Sequence, residues 1–403
     1  MPVGDDWRRY PFDLVPGDPH FVFPAAEANH PTCESDTWFL AGELTAESNR
    51  NFAFLTIVNK NRPGQAVVAD FYTLALFDLD NGTYGTYTDY DMPSTNKKAD
   101  VAPKLTVADD HLDLTYDSRA GTALWRTCRD GAGDLLPYTY DVTFCGTDQH
   151  GSEMRLDLHV TPSRAPVPLG AATYDGVIEC FGQANTYSYF QTGMAMTGTL
   201  SWGSVQEKVT GTTGHVDRQW FPLVANDGGG TGDIRSRAHE WRTINLDNGV
   251  DMSIWRQFDR TNHNALQPFS GATTSSPNAD PEYADDIEVT VISYVRWPET
   301  IRTLVPPPAA ARYMPDRHRL TSRKLDLDLT GEPLVPAPAH GLPLEYMEGP
   351  YRYQGTFRGE PVSGFAFYER SLALYRDWEL ADVLEAAEPG ERDEVARLIE
   401  EQR

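Results

Sequence analysis

The chain has 403 residues, enough for two or three domains, and 40% of them are hydrophobic, which argues against wholesale disorder. Its 34 basic and 59 acidic residues give a net charge of −25. A surface of that sign repels phosphate backbones and anionic lipid headgroups, so the composition argues against nucleic-acid binding.

The sequence shows no pattern typical of a membrane span or a secretory signal, and it contains few cysteines. No stretch reaches the roughly 18 apolar residues of an integral membrane span, and the N-terminal residues lack the apolar run of a secretory signal. We therefore expect a cytoplasmic protein. Four widely spaced cysteines lack the pattern of metal ligands and are expected as buried free thiols: Cys33, Cys128, Cys145 and Cys180. A bridge between Cys128 and Cys145 is the alternative, which a reducing compartment disfavours.

The first half of the chain predicts short strands. Residues 1–36 are rich in proline, aspartate and histidine and predict an extended lead-in. Strands are then predicted over residues 38–44, 51–58, 66–78, 112–116, 122–126, 138–144, 154–160 and 194–202. The polar stretch 84–104 predicts a long loop after the turn at Asn81-Gly82. Strands at intervals of about ten residues are typical of an all-β sandwich or barrel.

The second half repeats this pattern after the glycine-rich segment 226–232, where we place a domain boundary. Asn248-Gly249 predicts a hairpin. Further strands are predicted over residues 287–296, 325–329, 351–357 and 364–370. The period then changes, and two helices are predicted over 377–387 and 391–403. The predicted parts are a lead-in (1–36), a β-barrel (37–224), a second β-barrel (225–375) and a helical tail (376–403).

The stretch 211–220, Gly-Thr-Thr-Gly-His-Val-Asp-Arg-Gln-Trp, concentrates polar and aromatic side chains. If it continues a strand that starts near residue 205, alternate residues share a face. One face then carries His215, Asp217 and Gln219, and the other carries Val216, Arg218 and Trp220. An acid and a histidine inside a barrel are costly to bury without partners, but well placed for proton chemistry. The alternative is a structural hydrogen-bond network at a barrel rim, with Asp217 and Arg218 tying two strands together.

Several short motifs occur in an order that resembles one family. They are His30-Pro31, Trp38-Phe-Leu-Ala-Gly-Glu-Leu, Gly198-Thr-Leu, the stretch 211–220, Glu240-Trp241, the hairpin at 245–249, Tyr346-Met-Glu-Gly and Gly364-Phe-Ala-Phe-Tyr-Glu. Together they resemble the two-domain, lipocalin-like proteins that include carotenoid 1,2-hydratase (hydroxyneurosporene synthase) and AttH-type proteins; Diels–Alderase-type cyclases share this architecture. The chain departs from the pattern in its helical tail and in Phe221-Pro222, where the family often has a small residue.

The resemblance implies an all-β fold of two lipocalin-like barrels in tandem, and a chemistry for the central motif. In the hydratases an acid protonates an isolated carbon–carbon double bond, and aromatic rings stabilise the cation. By this resemblance Asp217 is the acid, His215 its proton partner and Glu240 a second possible acid. The substrate-binding candidates are Trp220, Trp241, Trp255, Tyr187, Tyr189, Arg218 and Gln219. The alternative for each tryptophan is a place in a barrel core.

We expect neither a cofactor nor a metal. His215-x-Asp217 and His239-Glu240 lack a spaced third ligand for zinc or iron. The glycines at 228–232 lack the lysine and the helix of a phosphate loop, and no serine elbow is present. Two functions stay open: an enzyme that hydrates or cyclises a lipophilic polyene, isoprenoid or polyketide, or a non-catalytic carrier for a hydrophobic small molecule.

Overall fold

A computed structural model describes residues 5–61, 70–91, 103–180, 183–222, 237–259, 265–277, 279–298, 300–301, 313–342 and 346–371. Two large antiparallel sheets make up nearly all of this part of the chain, which confirms the prediction of an all-β fold with two lipocalin-like domains in tandem. Within these ranges no helix has the length and apolar character needed to cross a membrane.

The first sheet is a nearly closed barrel. Its strands are β3 (Cys33–Ala46), β4 (Asn51–Asn61), β5 (Asp70–Asp78), β6 (Thr83–Asp91), β7 (Leu105–Val107), β8 (Asp113–Asp117), β9 (Thr122–Arg129), β10 (Leu135–Thr147), β11 (Glu153–Pro162), β12 (Val167–Pro168), β13 (Val177–Cys180), β14 (Gln183–Trp202) and β15 (Val205–Pro222). They pair in the order β6-β5-β4-β3-β15-β14-β11-β10-β9-β8-β7, with β12 and β13 on β14. Near the two edges, Tyr116 donates a hydrogen bond to Asp89 at 2.9 Å, which links β8 to β6.

The second sheet is a half-barrel. Its strands are β16 (Arg237–Leu246), β17 (Asp251–Asp259), β18 (Ala265–Leu266), β19 (Gly271–Ser275), β20 (Tyr283–Ala284), β21 (Glu288–Val291), β24 (His318–Ser322), β25 (Leu327–Pro333), β26 (Tyr346–Phe357) and β27 (Glu360–Ser371). They pair in the order β20-β19-β17-β16-β27-β26-β25-β24-β21, with β18 on β17. A separate ribbon pairs β22 (Tyr294–Arg296) with β23 (Tyr313–Pro315).

Three apolar layers follow from the alternation of side chains along the strands. One fills the first barrel and includes Trp38 and Trp125. A second lies between the two sheets and joins Phe39 of the first to Trp241 of the second. The third lines the concave face of the second sheet, for example at Ile244. We call the middle one the interface layer.

The segment before β3 packs against the first barrel instead of running as a plain extended lead-in. It contains three short 3-10 helices, Asp5–Arg8, Pro19–Phe21 and Ala25–Glu27, and a small ribbon of β1 (Phe12–Asp13) with β2 (Val22–Phe23). Phe21 and Phe23 are fully buried in the barrel core. Aromatic side chains in this proline-rich segment explain the difference, because their burial fixes the segment onto the barrel.

Two further expectations about strands were wrong. The stretch 84–104 was expected to be a loop, but β6 occupies Thr83–Asp91, where threonine and tyrosine favour a strand. The strand expected over 287–296 is divided into β21 and β22, which belong to different sheets. All four cysteines are free thiols, although Cys128 and Cys145 are only half-buried. The boundary at 226–232 and the helical tail lie outside the described residues, and both stay predictions.

Candidate functional site

The faces of β15 are occupied as its alternation predicts. Val216, Arg218 and Trp220 point into the first barrel, whereas His215 faces the second sheet. The Nδ1 atom of His215 lies 2.8 Å from the hydroxyl of Thr243 on β16. The histidine and its neighbour Asp217 therefore lie in the interface layer and not in the interior of a barrel.

Aromatic rings surround His215 on this face. Phe190 stacks on its imidazole with ring centroids 5.8 Å apart. Trp241 lies 5.2 Å away and meets the ring of Phe39 edge-on. Burial among these rings lowers the pKa of His215 to about 3, so the imidazole is neutral at physiological pH.

Asp217 is the acid beside this neutral histidine. Its Oδ2 atom lies 4.0 Å from the Nε2 atom of His215, is buried, and has no hydrogen-bond partner among the described residues. Burial raises the pKa of Asp217 well above its ordinary value, repulsion by Glu369 adds to that, and Arg218 opposes it. Burial therefore favours the protonated form of Asp217. Its side chain is 15% exposed, so one side of the group is open.

Two further carboxyl groups belong to the same site and were missed in the sequence. Glu348 on β26 is fully buried and accepts a hydrogen bond from Tyr346 at 2.5 Å. Burial, and then the proximity of Glu369 and Asp217, raises the pKa of Glu348. Glu369 on β27 lies 2.5 Å from the ring of His239. Both glutamates occur in motifs that suggested the family, which was the available signal.

The tryptophans of the second sheet form walls of the site. Trp255 stacks on the ring of His239 with centroids 4.6 Å apart, and its indole N–H donates to the carbonyl of Glu179 at 2.8 Å. Trp241 donates to Ser253 at 2.9 Å. Both indoles lie in the interface layer with His215, and their role in substrate binding stays a prediction.

Other candidate residues lie elsewhere. Tyr189 and Trp220 are buried in the first barrel. Arg218 pairs there with Asp36 at 2.9 Å and stacks on Trp38 at 4.2 Å. Period-two alternation places these even-numbered residues of β15, and their partners on β14, on the face opposite Asp217.

Two polar candidates sit at the edges of these layers. Tyr187 is only partly buried and stacks on His20 with centroids 4.0 Å apart. Gln219 shares the face of Asp217 and donates to the thiol of Cys180 at 3.1 Å. Of the two, the structure brings only Gln219 to the same face of β15 as the acid.

Glu240 does not fit the role of a second acid. It is next to Trp241 on β16 and therefore points to the opposite, concave face of the second sheet. Burial opposes its ionisation, but Arg242, Arg256 and Arg370 outweigh that effect and hold the pKa of Glu240 well below its usual range. A carboxylate held ionised by three guanidinium groups cannot serve as a proton donor at neutral pH.

Two other features of the described residues lie away from the interface layer. A groove of about 270 Å³, lined partly by Glu47, Gly198 and Lys208, opens on the first sheet. It lies near the other end of β15 from Asp217, roughly 25 Å along the strand.

Among the described residues, Cys128, Asp141 and His159 could together hold a metal ion. This trio is on the outer face of the first barrel, away from the interface layer, and Asp141 and His159 are exposed.

A nearly closed barrel and a half-barrel in tandem define a two-domain lipocalin-like protein. Residues 14–369 match the model of the AttH-like family, and the chain belongs to that family. No curated protein matches the sequence.

Solved structures share this fold at low identity. A putative AttH from Nitrosomonas europaea is 15% identical, with a TM-score of 0.63, covering 90% of this chain and 100% of that one. Kievitone hydratase from Nectria haematococca is 14% identical, with a TM-score of 0.62, covering 87% of this chain and 92% of that one. CghA with Sch210972 is matched at a TM-score of 0.40 and 11% identity, over 91% of this chain and 97% of that one.

Proposed function

We propose that the protein is a cofactor-independent enzyme that protonates a carbon–carbon double bond of a lipophilic polyene, isoprenoid or polyketide in the interface layer. The observation that carries this proposal is the carboxyl group of Asp217. Burial raises the pKa of this group and favours its protonated form, and its Oδ2 atom has no hydrogen-bond partner among the described residues. An acid in this state is poised to donate to a substrate.

In a hydration, the proton that Asp217 gives to the substrate is recovered from the attacking water. The carboxyl of Asp217 gives its proton to one alkene carbon, and the adjacent carbon becomes cationic. Water adds to that carbon, and the proton it loses returns to the Asp217 carboxylate. The rings of Trp241, Phe39 and Phe190 around His215 offer π faces to the cation.

His215 is proposed to assist the return of the proton. Its ring is neutral, and Nε2 lies 4.0 Å from Asp217. When the Nδ1 atom carries the hydrogen and donates to Thr243, Nε2 is free to accept a proton. Glu348 and Glu369 supply further carboxyl groups to the same layer.

Two observations support the choice of hydration. The fold is shared with kievitone hydratase over most of both chains, and the polar groups of the interface layer are flanked by apolar rings, which suits a lipophilic substrate. A cyclisation is the second candidate, favoured by the same unpartnered acid, because its O–H could activate a substrate carbonyl by a hydrogen bond. The four free thiols fit the reducing cytoplasm that we propose as its location.

The test uses kievitone and neurosporene as probes, in water enriched in oxygen-18. Hydration adds the mass of one labelled water, whereas cyclisation leaves the mass unchanged and is detected by a shift in chromatographic retention. Asp217→Asn removes the proton donor and should abolish hydration, while a cyclisation driven mainly by shape should keep much of its rate. Glu288→Gln, at an exposed carboxyl on β21, is the matched control. Tight binding of a probe that comes back chemically unchanged would point to a carrier.

A further inference from the structure

A second charge cluster lies on the concave face of the second sheet, around Glu240. The Oε1 atom of Glu240 accepts a hydrogen bond from Arg256 at 2.5 Å. Its Oε2 atom accepts hydrogen bonds from Arg242 and Arg370, both at 3.1 Å. The side chains of Glu240 and Arg242 are completely buried, and that of Arg256 is 13% exposed. Three guanidinium groups thus donate to the carboxylate of Glu240.

Apart from Glu240, the described polar side chains that contact Arg242 are neutral. Arg242 contacts His318 at 3.3 Å and Tyr353 at 3.2 Å. Burial, and then the charge of Arg242, lowers the pKa of His318 well below its usual value, so the ring is neutral. Burial raises the pKa of Tyr353 and of Tyr368, so both phenols keep their protons. Among Glu240, Arg242 and Arg256, one positive charge is therefore left over.

Two hydrogen-bond donors in the cluster are also unused. The Nη1 atom of Arg242 and the Nε atom of Arg256 are buried and have no acceptor among the described residues. Burying an uncompensated charge and an unpaired N–H group is costly in each case. A bound group that is negatively charged and accepts hydrogen bonds would remove both costs. The partly exposed side chain of Arg256 marks the side from which such a group could enter.

We propose that Arg242 and Arg256 bind an oxyanion group, a carboxylate or a phosphate, carried by a small molecule. Guanidinium groups match the planar geometry of a carboxylate and also bind phosphate oxygens. The ring of Phe258, 5.1 Å from the guanidinium carbon of Arg256, provides an apolar surface beside the charge. This oxyanion site lies on the other face of β16 from Trp241 and Asp217, and it does not depend on the proposed acid catalysis.

Calorimetric titration with sodium benzoate, and separately with sodium phosphate, tests the site at constant ionic strength. At least one probe should bind saturably with one site per chain, and the probe that binds identifies the group as a carboxylate or a phosphate. Arg256→Gln should weaken that binding about tenfold or more. Arg319→Gln, at an exposed arginine paired with Asp328, should leave it unchanged. Absence of saturable binding by both probes overturns the proposal, as does equal affinity in Arg256→Gln.

A second variant separates ligand binding from a purely structural role. Glu240→Gln removes the resident carboxylate that competes for the arginines, so the affinity for the bound probe should rise. A structural ion-pair network predicts no such gain. If Glu240→Gln does not fold, which its circular dichroism spectrum reveals, the comparison of Arg256→Gln with Arg319→Gln decides the question alone.

Discussion

The Oδ2 atom of Asp217 and the Nε2 atom of His215 lie 4.0 Å apart on one face of β15, between the two sheets. Burial acts on the two groups in opposite directions. It raises the pKa of the Asp217 carboxyl well above its ordinary value and lowers that of the His215 imidazole to about 3. Burial thus favours the neutral form of both groups, in contrast to the ion pair that an aspartate and a histidine form in water.

The first prediction concerns how the rate of hydration of a probe substrate depends on pH. An ordinary aspartate has lost its proton by about pH 5, whereas Asp217 should keep it, because its pKa is raised. The rate should therefore persist to neutral pH and decline only as the pH rises through that higher pKa. Measurement of kcat/KM against pH checks this.

The acidic side of the same profile tests His215. Because the pKa of His215 is lowered to about 3, the profile should show no step near the ordinary histidine value of about 6.5. A step there that disappears in His215→Gln would show that the imidazole titrates in the ordinary range, against the expectation from its burial.

The second prediction concerns the bond that joins the sheets at the site. Thr243→Val keeps the shape of the side chain but leaves the buried Nδ1 atom of His215 without its partner at 2.8 Å. Loss of the partner should lower the free energy of unfolding by about 1–3 kcal/mol. Urea denaturation followed by tryptophan fluorescence measures this difference.

Two control variants test whether the loss of stability comes from the hydrogen bond to His215. Thr243→Ser keeps the hydroxyl and should recover most of the loss. Thr290→Val makes the same substitution on the exposed face of β21 and should change stability by less than about 0.5 kcal/mol. Equal losses at both threonines would mean that the bond to His215 contributes nothing specific.

The sequence predicts which side chains share a face of β15, but not how the two sheets pack around that face. Alternation along β15 correctly separated His215 and Asp217 from Arg218 and Trp220, because that property is local to a strand. It could not show that the outer face of the first barrel is covered by a second sheet. Asp217 was therefore expected inside a barrel, whereas it lies between sheets.

The same limit explains the acids that were misjudged. The alternation that places Glu240 and Arg242 on one face of β16, opposite Trp241, was available in the sequence. The other two arginines that hold Glu240 ionised, Arg256 and Arg370, come from different strands, and their proximity was not available. Glu348 and Glu369 lie in mostly buried stretches of β26 and β27. Their proximity to Asp217 depends on how the sheets pack, which is a tertiary property that no periodicity reveals.

The third prediction concerns Glu27, which the first barrel buries together with Tyr10 and Tyr140, both of which donate hydrogen bonds to it. Burial raises its pKa from 4.5 to about 7, and the two tyrosines only partly offset this. A carboxyl with a raised pKa in the folded state stabilises the fold at low pH. That stability is lost as the pH rises from 4.5 to 7, by a total of order 3 kcal/mol.

Comparison with Glu27→Gln isolates this effect. Glutamine cannot ionise, so the difference in unfolding free energy between wild type and variant should fall by that amount between pH 4.5 and pH 7. The buried histidines have the opposite sign, since their depressed pKa values remove stability as the pH falls, but they are common to both proteins and cancel. A difference that does not change with pH would show that folding does not raise the pKa of Glu27.

The fourth prediction concerns Gly198, which pairs on β14 with Leu158 of the neighbouring β11. A Cβ atom at this position would lie 1.9 Å from the carbonyl oxygen of Asp157. That oxygen belongs to the backbone and cannot rotate away, so Gly198→Ala must push the strands apart and should cost about 3 kcal/mol or more. Gly131→Ala is the control, because a Cβ atom there meets nothing within 4 Å and should change stability by less than about 1 kcal/mol. Thermal unfolding of both variants measures the contrast; similar midpoints would show that β14 tolerates a side chain at 198.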